Sequence, residues 1–212
     1  MLFNSPSAVV NYSVKTCEIV YEFRGMLLST RKESCFYNDK RNKYIYFIMN
    51  FLALDFETAN YYSDSACALG LARVEDNEIV EKASFLIRPP YKYFVFTYIH
   101  GITWEDVEDK PTFKQHWKAI RPFFENIDFA VAHNASFDSN VLSACCERHR
   151  IIKPEVDFRC TMKLSRKVFG LYPTNLPAVC RNFNIDLQHH DALSDTLACA
   201  KIMIEILKKM NA

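Results

Sequence analysis

The sequence predicts an α/β domain built on a mixed five-stranded sheet, three antiparallel strands followed by two parallel ones, flanked by helices. Two patterns carry that expectation. Between residues 51 and 87, three apolar runs broken by polar turns follow one another as in an antiparallel meander. Beyond residue 113, stretches with apolar residues three and four apart alternate with short strand-like runs.

Residues 1–48 stand apart from the rest. They are rich in Tyr and Phe, with strand-like stretches at Val10–Phe23 and Cys35–Ile48 and polar turns such as Asn38-Asp39-Lys40-Arg41-Asn42. This N-terminal extension reads either as a hairpin-like appendage or as a spurious start with Met49 the working first residue, and the second reading is favoured. The folded domain is expected over 49–212. Its first strand, Phe51–Phe56, opens on the apolar run Phe51-Leu52-Ala53-Leu54, the mark of a buried strand. Strands at Ala66–Val74 and Ile79–Ile87 follow, joined through Glu75-Asp76-Asn77. Pro89-Pro90 ends the meander, because proline has no N–H to give a ladder, and an aromatic loop runs from Tyr91 to Tyr98. Phe113–Glu125 has helical spacing, with Trp117, Ile120, Phe123 and Phe124 on or near one face. Ile127–Ala132 reads as a strand, Ser139–His149 as a helix and Val156–Cys160 as a short strand, with helices near Met162–Val168 and Leu176–Asn182. The last helix, Ala192–Lys209, sets Leu193, Leu197, Ala200, Ile204 and Leu207 on one stripe.

Composition narrows the function classes. With 50% hydrophobic and 24% charged residues, the 212-residue chain can bury a core and is not disordered. Only 4 glycines and no repeat exclude collagen-like and solenoid architectures. The longest apolar stretch, Tyr44–Leu54, is broken by Asn50 and too short for a bilayer. No secretory pattern opens the chain, so a cytoplasmic protein without membrane contact is expected. The net charge of +1 is unevenly spread: residues 1–48 carry 7 Lys+Arg against 4 Asp+Glu, and the remaining 164 carry 19 against 21. That balance argues against a basic nucleic-acid wrapper, unless carboxylates are gathered around divalent metal. Among 8 cysteines there is no C-x-x-C pair, and only Cys145 and Cys146 with His149 approach zinc spacing. Free thiols in a reducing compartment are the simpler expectation.

Three acidic motifs stand out. Asp55-Phe56-Glu57 follows Leu54 directly, and alternate residues of a strand share a face, so the two carboxylates converge. His133-Asn134-Ala135-Ser136-Phe137-Asp138 follows a strand and opens a helix. His190-Asp191-Ala192-Leu193-Ser194-Asp195 opens the last helix. Taken alone, the first is a polar strand end and the other two are ordinary helix caps. Taken together they gather Asp55, Glu57, Asp138 and Asp195 beside core elements. Acids of one sign repel unless cations sit among them. Hard oxygen ligands favour Mg²⁺ or Mn²⁺ over Zn²⁺, and two such ions suit phosphodiester hydrolysis. His190, five residues before Asp195, is then the candidate general base.

Leu54-Asp55-Phe56-Glu57-Thr58, His133 to Asp138 and His190 to Asp195 resemble the three exonuclease motifs of the DEDD superfamily, in its histidine-bearing branch. That branch holds the proofreading epsilon subunit of bacterial DNA polymerase III, ribonuclease T and oligoribonuclease. The resemblance runs from residue 49 to about 207. It implies a ribonuclease H-like fold, two divalent ions per site, and release of nucleoside 5′-monophosphates from the 3′ end of single-stranded or frayed nucleic acid. It also implies roles. Asp55 would bridge both ions, Glu57 and Asp195 would complete one site, Asp138 would hold the second, and His190 rather than His189 would be the base. His100-Gly101-Ile102-Thr103 is similar to the segment lining the 3′-terminal nucleotide, with Thr58, Asn134 and Phe137 facing the same nucleotides.

DNA is the expected substrate in a proofreading- or repair-like role. The alternatives are an exoribonuclease of RNA maturation or turnover, or a non-catalytic binding module that keeps the fold. A DNA polymerase or repair complex is a candidate partner, and a homodimer is one candidate assembly. The last helix is followed by no tethering tail, which weakly favours a free-standing nuclease. The aromatics of 91–98 either stack unpaired bases or pack their loop onto the domain. Arg159, Lys163, Arg166 and Lys167 form either a phosphate contact or a solvated helix face.

Overall fold

The computed structural model describes the backbone of three strands before residue 31 and the chain from 49 to 211. The chain divides into two units, Met1–Ile48 with Met210–Ala212, and Met49–Lys209. In the first unit, β1 (Ala8–Asn11), β2 (Glu18–Phe23) and β3 (Met26–Thr30) form an antiparallel sheet in the order β1-β2-β3. The sequence reading reaches the first two strands but not β3, and its Cys35–Ile48 stretch lies outside the described residues.

The second unit is built on β4 (Phe51–Thr58), β5 (Ala66–Glu75), β6 (Glu78–Leu86), β7 (Phe129–Ala132) and β8 (Phe158–Cys160), in the order β6-β5-β4-β7-β8. The ladders β4–β5 and β5–β6 are antiparallel; β4–β7 and β7–β8 are parallel. This is the expected mixed sheet, three antiparallel strands and then two parallel. The apolar run that predicts β4 is explained by its central place: Phe51, Leu52, Ala53 and Leu54 are fully buried. β6, at the edge, alternates exposed and half-buried positions.

The two faces of β4 differ. Leu52, Leu54 and Phe56 join a core with Phe113 and Ile120 of α3 (Phe113–Ile120) and Val141 and Leu142 of α4 (Ala135–His149). Burying each such leucine is worth roughly 1.5–3 kcal/mol. The alternate face carries Ala53, Asp55 and Glu57, paired across the ladder with Ala72, Gly70 and Ala68. Small side chains there make room for α7 (Ala192–Asn211), whose Ala198, Ile202 and Ile206 are fully buried.

Several boundaries differ from the sequence reading, for local reasons. The helix expected over Phe113–Glu125 changes to a 3-10 turn at Arg121–Phe124, where Pro122 lacks an N–H. The segment read as aromatic loop and substrate motif holds a four-residue helix, α1 (Thr97–His100), and a second, α2 (Trp104–Val107), follows it directly. They are too short to leave a periodic signal, and the second is marked by a capping box between Thr103 and Asp106. α4 starts at Ala135, so Asp138 lies in its first turn. Two further helices, α5 (Thr161–Phe169) and α6 (Leu176–Phe183), follow β8. No helix among the described residues is long and apolar enough to cross a membrane.

Candidate active site

Asp55 and Glu57 project from the same face of β4, one residue apart on either side of Phe56. The backbone N–H of that Phe56 donates to Asp138 Oδ1 at 3.0 Å, which binds the first turn of α4 to the acidic end of the strand. Asp138 is 1% exposed. Asp195 enters from the first turn of α7, also buried. Carboxylate oxygens of Asp55, Glu57 and Asp195 lie within 4.8 Å of one another. Thus acids more than 130 residues apart in the chain share one end of the sheet.

Asn134 precedes α4 in the left-handed conformation (φ 75°) and its side chain makes no cap bond. Asp138 gives its Oδ1 to the Phe56 N–H of β4 rather than to the start of α4. At α7 the cap is Asp191, whose Oδ1 accepts from Ser194 N–H at 2.8 Å. Asp195 is free of that duty. Its Oδ2 accepts from the His190 backbone N–H (3.1 Å) and faces His189 Nδ1 (2.9 Å). Its Oδ1 is buried without a hydrogen-bond partner among the described residues.

Burial and mutual repulsion act together on these acids. Burial, then Asp138, Asp195 and Glu57, hold Asp55 well above the carboxylate range. Burial, then Asp195 and Asp138, push Glu57 up to about 8. Asp138 is pushed up to about 7 by burial, against the Phe56 N–H that favours its charged form. Burial raises Asp195 as well, opposed by the His190 N–H and His189. All-oxygen donors, like charges at close range and an unpartnered buried Oδ1 fit a hard divalent cation. Asp55, Glu57 and Asp195, with Asp138 behind them, are the residues that would hold it.

The paired histidines differ from the sequence reading in detail. The ring that meets Asp195 is that of His189, given there as the lesser neighbour. His190, at φ 68°, stacks on His189 with ring centroids 3.8 Å apart. Burial, then His189, lowers its pKa, so its ring stays neutral to lower pH than an ordinary histidine. His100 has both nitrogens engaged: Nε2 donates to Thr58 O (3.1 Å) and Nδ1 accepts from Ile102 N–H (3.1 Å). It is a neutral pin, and Gly101 supplies the left-handed turn (φ 76°) beside it. Of the residues expected to line the terminal nucleotides, Phe137 (42% exposed), Asn134 and Gly101 are open to solvent, whereas Thr58 is buried.

The aromatic segment is both packed and presented. Asn60 Nδ2 donates to Tyr93 O (2.8 Å) and Val95 N–H donates to Ala59 O (2.7 Å), tying the segment to the end of β4. Arg148 of α4 binds Asp64 and the Tyr91 hydroxyl. Tyr61, Tyr93 and Tyr98 remain exposed on this frame. The basic cluster is not one surface: Arg159 is half-buried with its guanidinium 3.6 Å over Phe129, and Arg166 donates to Thr174 Oγ1. Cys145 and Cys146 are buried in the core and His149 stacks on Phe113.

A family model described as "Exonuclease", RNase_T, matches residues 52–203, which include every acid above. Exodeoxyribonuclease 10 of Escherichia coli (strain K12) is 34% identical over 144 residues, covering 63% of this chain and 58% of that protein. The DNA polymerase III subunit epsilon of Aquifex aeolicus (strain VF5) is 30% identical over 169 residues, 76% of this chain and 81% of that one. The chain therefore spans less than two thirds of the E. coli relative. Among solved structures, exonuclease X in complex with 5′ overhanging duplex DNA aligns at a TM-score of 0.58 and 27% identity, over 74% of this chain and 91% of that one. The ribonuclease H-like fold and the matched span agree: the chain belongs to the RNase_T exonuclease family.

Proposed function

We infer that the protein is a 3′→5′ exonuclease that hydrolyses single-stranded or frayed DNA to nucleoside 5′-monophosphates with two Mg²⁺ or Mn²⁺ ions. The observation that carries this reading is the convergence of the Asp55, Glu57 and Asp195 carboxylates, with Asp138 tied beside them, where Asp195 Oδ1 is buried without a partner among the described residues. Bound there, divalent ions would supply a more acidic water and Lewis-acid stabilisation of the leaving oxygen.

The chain's own residues have separable tasks. Asp55, Glu57 and Asp195 present the donor oxygens, and the Phe56 N–H fixes Asp138 beside them. His190 takes the proton of the attacking water on a neutral ring nitrogen, and its depressed pKa keeps that nitrogen available. His189, engaged with Asp195, holds that carboxylate in orientation. As the water oxygen bonds to phosphorus, the bond to the 3′ oxygen of the neighbouring nucleotide breaks, and that oxygen takes a proton from solvent to leave a new 3′-hydroxyl. Phe137 and Asn134, exposed at the start of α4, face the end of the strand.

DNA is preferred to RNA because relatives similar to this chain include a DNA polymerase III subunit and an exodeoxyribonuclease. A polymerase or repair complex is the corresponding partner. The test uses 5′-labelled single-stranded DNA and RNA of matched sequence with Mg²⁺, Mn²⁺ or chelator. A ladder shortening from the 3′ end, faster on DNA and lost with chelator, is expected. Faster shortening of RNA would reassign the substrate, and intact oligonucleotides under every metal would leave a binding module.

A further inference from the structure

Asp55 and Glu57 share a strand, so their separation is set by covalent geometry. Asp195 comes from another element. Its distance to them depends on how closely the start of α7 lies on the sheet, and one residue governs that approach. Gly70 pairs with Asp55 in the β4–β5 ladder and lies on the same face. A Cβ built on Gly70 would meet the backbone carbonyl of Ala192, with its carbon at 2.6 Å, and Thr196 Oγ1 at 2.5 Å. Ala192 and Thr196 flank Asp195 within the first turns of α7. The backbone of Gly70 is not in the left-handed region, unlike Gly101 and Gly170. Glycine is therefore needed at this position for its missing side chain and not for its conformational freedom.

We propose that Gly70 is the positioning residue of the metal site: by lacking a Cβ it lets the first turn of α7 rest on β5, which brings Asp195 to Asp55 and Glu57. Ordinary contact begins at 3.4 Å, so the Ala192 carbonyl carbon must retreat by about 0.8 Å to admit a methyl group. A backbone group cannot rotate away as a side chain does. Metal–ligand distances tolerate roughly 0.2 Å, and a functional constellation about 0.5 Å, so that retreat takes Asp195 out of the donor set. Ala198, Ile202 and Ile206 still anchor the rest of α7 in the core. Gly70 acts through Asp195 and touches no reacting atom.

Gly70's role rests on the metal-site reading above, and Mn²⁺ binding to the full chain, followed by calorimetry, separates the two. Failure of the wild type to bind Mn²⁺ would sink the metal-site reading itself. With binding established, Gly70→Ala should weaken Mn²⁺ affinity by at least ~10-fold at full folding, whereas Ile206→Ala, a core change on the same helix, should not. The sharper readout is length compensation. Asp195→Glu should weaken Mn²⁺ binding in the wild type, yet restore part of it in the Gly70→Ala background, where one extra methylene offsets the retreat of the helix. All variants are compared in trimethylamine N-oxide, which favours the folded form. Wild-type affinity in Gly70→Ala, absence of compensation, or a Gly70→Ala that remains unfolded in the osmolyte would each overturn the assignment.

Discussion

The two ends of β4 treat charge in opposite ways. At the Phe51 end, polar groups are answered locally: Asn50 N–H donates to Asp128 Oδ2 at 2.8 Å, and Asp128 N–H donates back to Asn50 O at 2.7 Å. Arg73 meets Glu75 and the Glu125 carbonyl, and Arg159 lies over Phe129, itself stacked on Phe51 at 5.2 Å. At the Thr58 end, Asp55, Glu57, Asp138 and Asp195 are surrounded by one another, by Asp191, by backbone N–H groups and by two histidines. A strand end that serves only the fold pairs its charges. One that gathers four acids stores an electrostatic cost that either protonation or a metal cation from solution removes.

Substitutions at the acidic end should therefore change chemistry more than stability. The largest effect is expected from Asp55→Ala, which should cut nucleolytic turnover by on the order of 10³-fold or more, with the melting temperature in chelator unchanged or raised. A chelated protein that melts lower after this change would mean that Asp55 supports the fold. Next, His190→Ala should lower turnover by about 10²–10⁴-fold while Mn²⁺ still binds, and His189→Ala should cost less. The acidic limb of the wild-type pH–rate profile should fall where His190 gains a proton, below the ordinary histidine value of 6.5 because its pKa is lowered. Equal losses at the two histidines would break the division of roles between them.

Stability offers a quieter contrast. Folding raises the Glu57 pKa from 4.5 to about 8, so its protonated form is the one the metal-free fold favours. That contribution is complete below pH 4.5 and is lost as pH rises through 8. In chelator, the melting temperature should thus fall between these limits, and Glu57→Gln should flatten the fall, as should Mg²⁺. The smallest effect belongs to the other end: Asp128→Ala should cost about 1 kcal/mol, a shift of roughly 2–4 °C, with turnover per folded molecule unchanged. A loss of turnover there would blur the distinction between the ends.

How much of this was legible in the sequence depends on how local each signal is. Asp55 and Glu57 could be read because they interrupt an apolar run, and Asp138 and Asp195 because each opens a helix beside such a run. The sheet order follows from the meander and the strand–helix alternation that comes after it. Contacts across elements were not legible. Nothing in the chain announces that Asp138 reaches the Phe56 N–H, or that Arg159 leaves its basic neighbours to cover Phe129. Motif spacing says nothing about which of two adjacent histidine rings meets Asp195, so the contact of His189 is not legible. Gly70 did leave a trace, as a lone glycine inside a strand pattern, but its meaning appears only when α7 is laid against it. The helices at Thr97–His100 and Trp104–Val107 are shorter than the period that would reveal them.

The central claim, that the acidic end of β4 is kept for divalent metal, is tested most directly by counting protons. At pH 6.5 in weak buffer, Glu57 (about 8) and Asp138 (about 7) carry protons in the metal-free protein. Titration with Mn²⁺ and an indicator dye should release at least ~1 proton per chain, saturating with metal uptake and diminished in Glu57→Gln. Metal uptake without proton release, or no saturable uptake at all, would contradict the account.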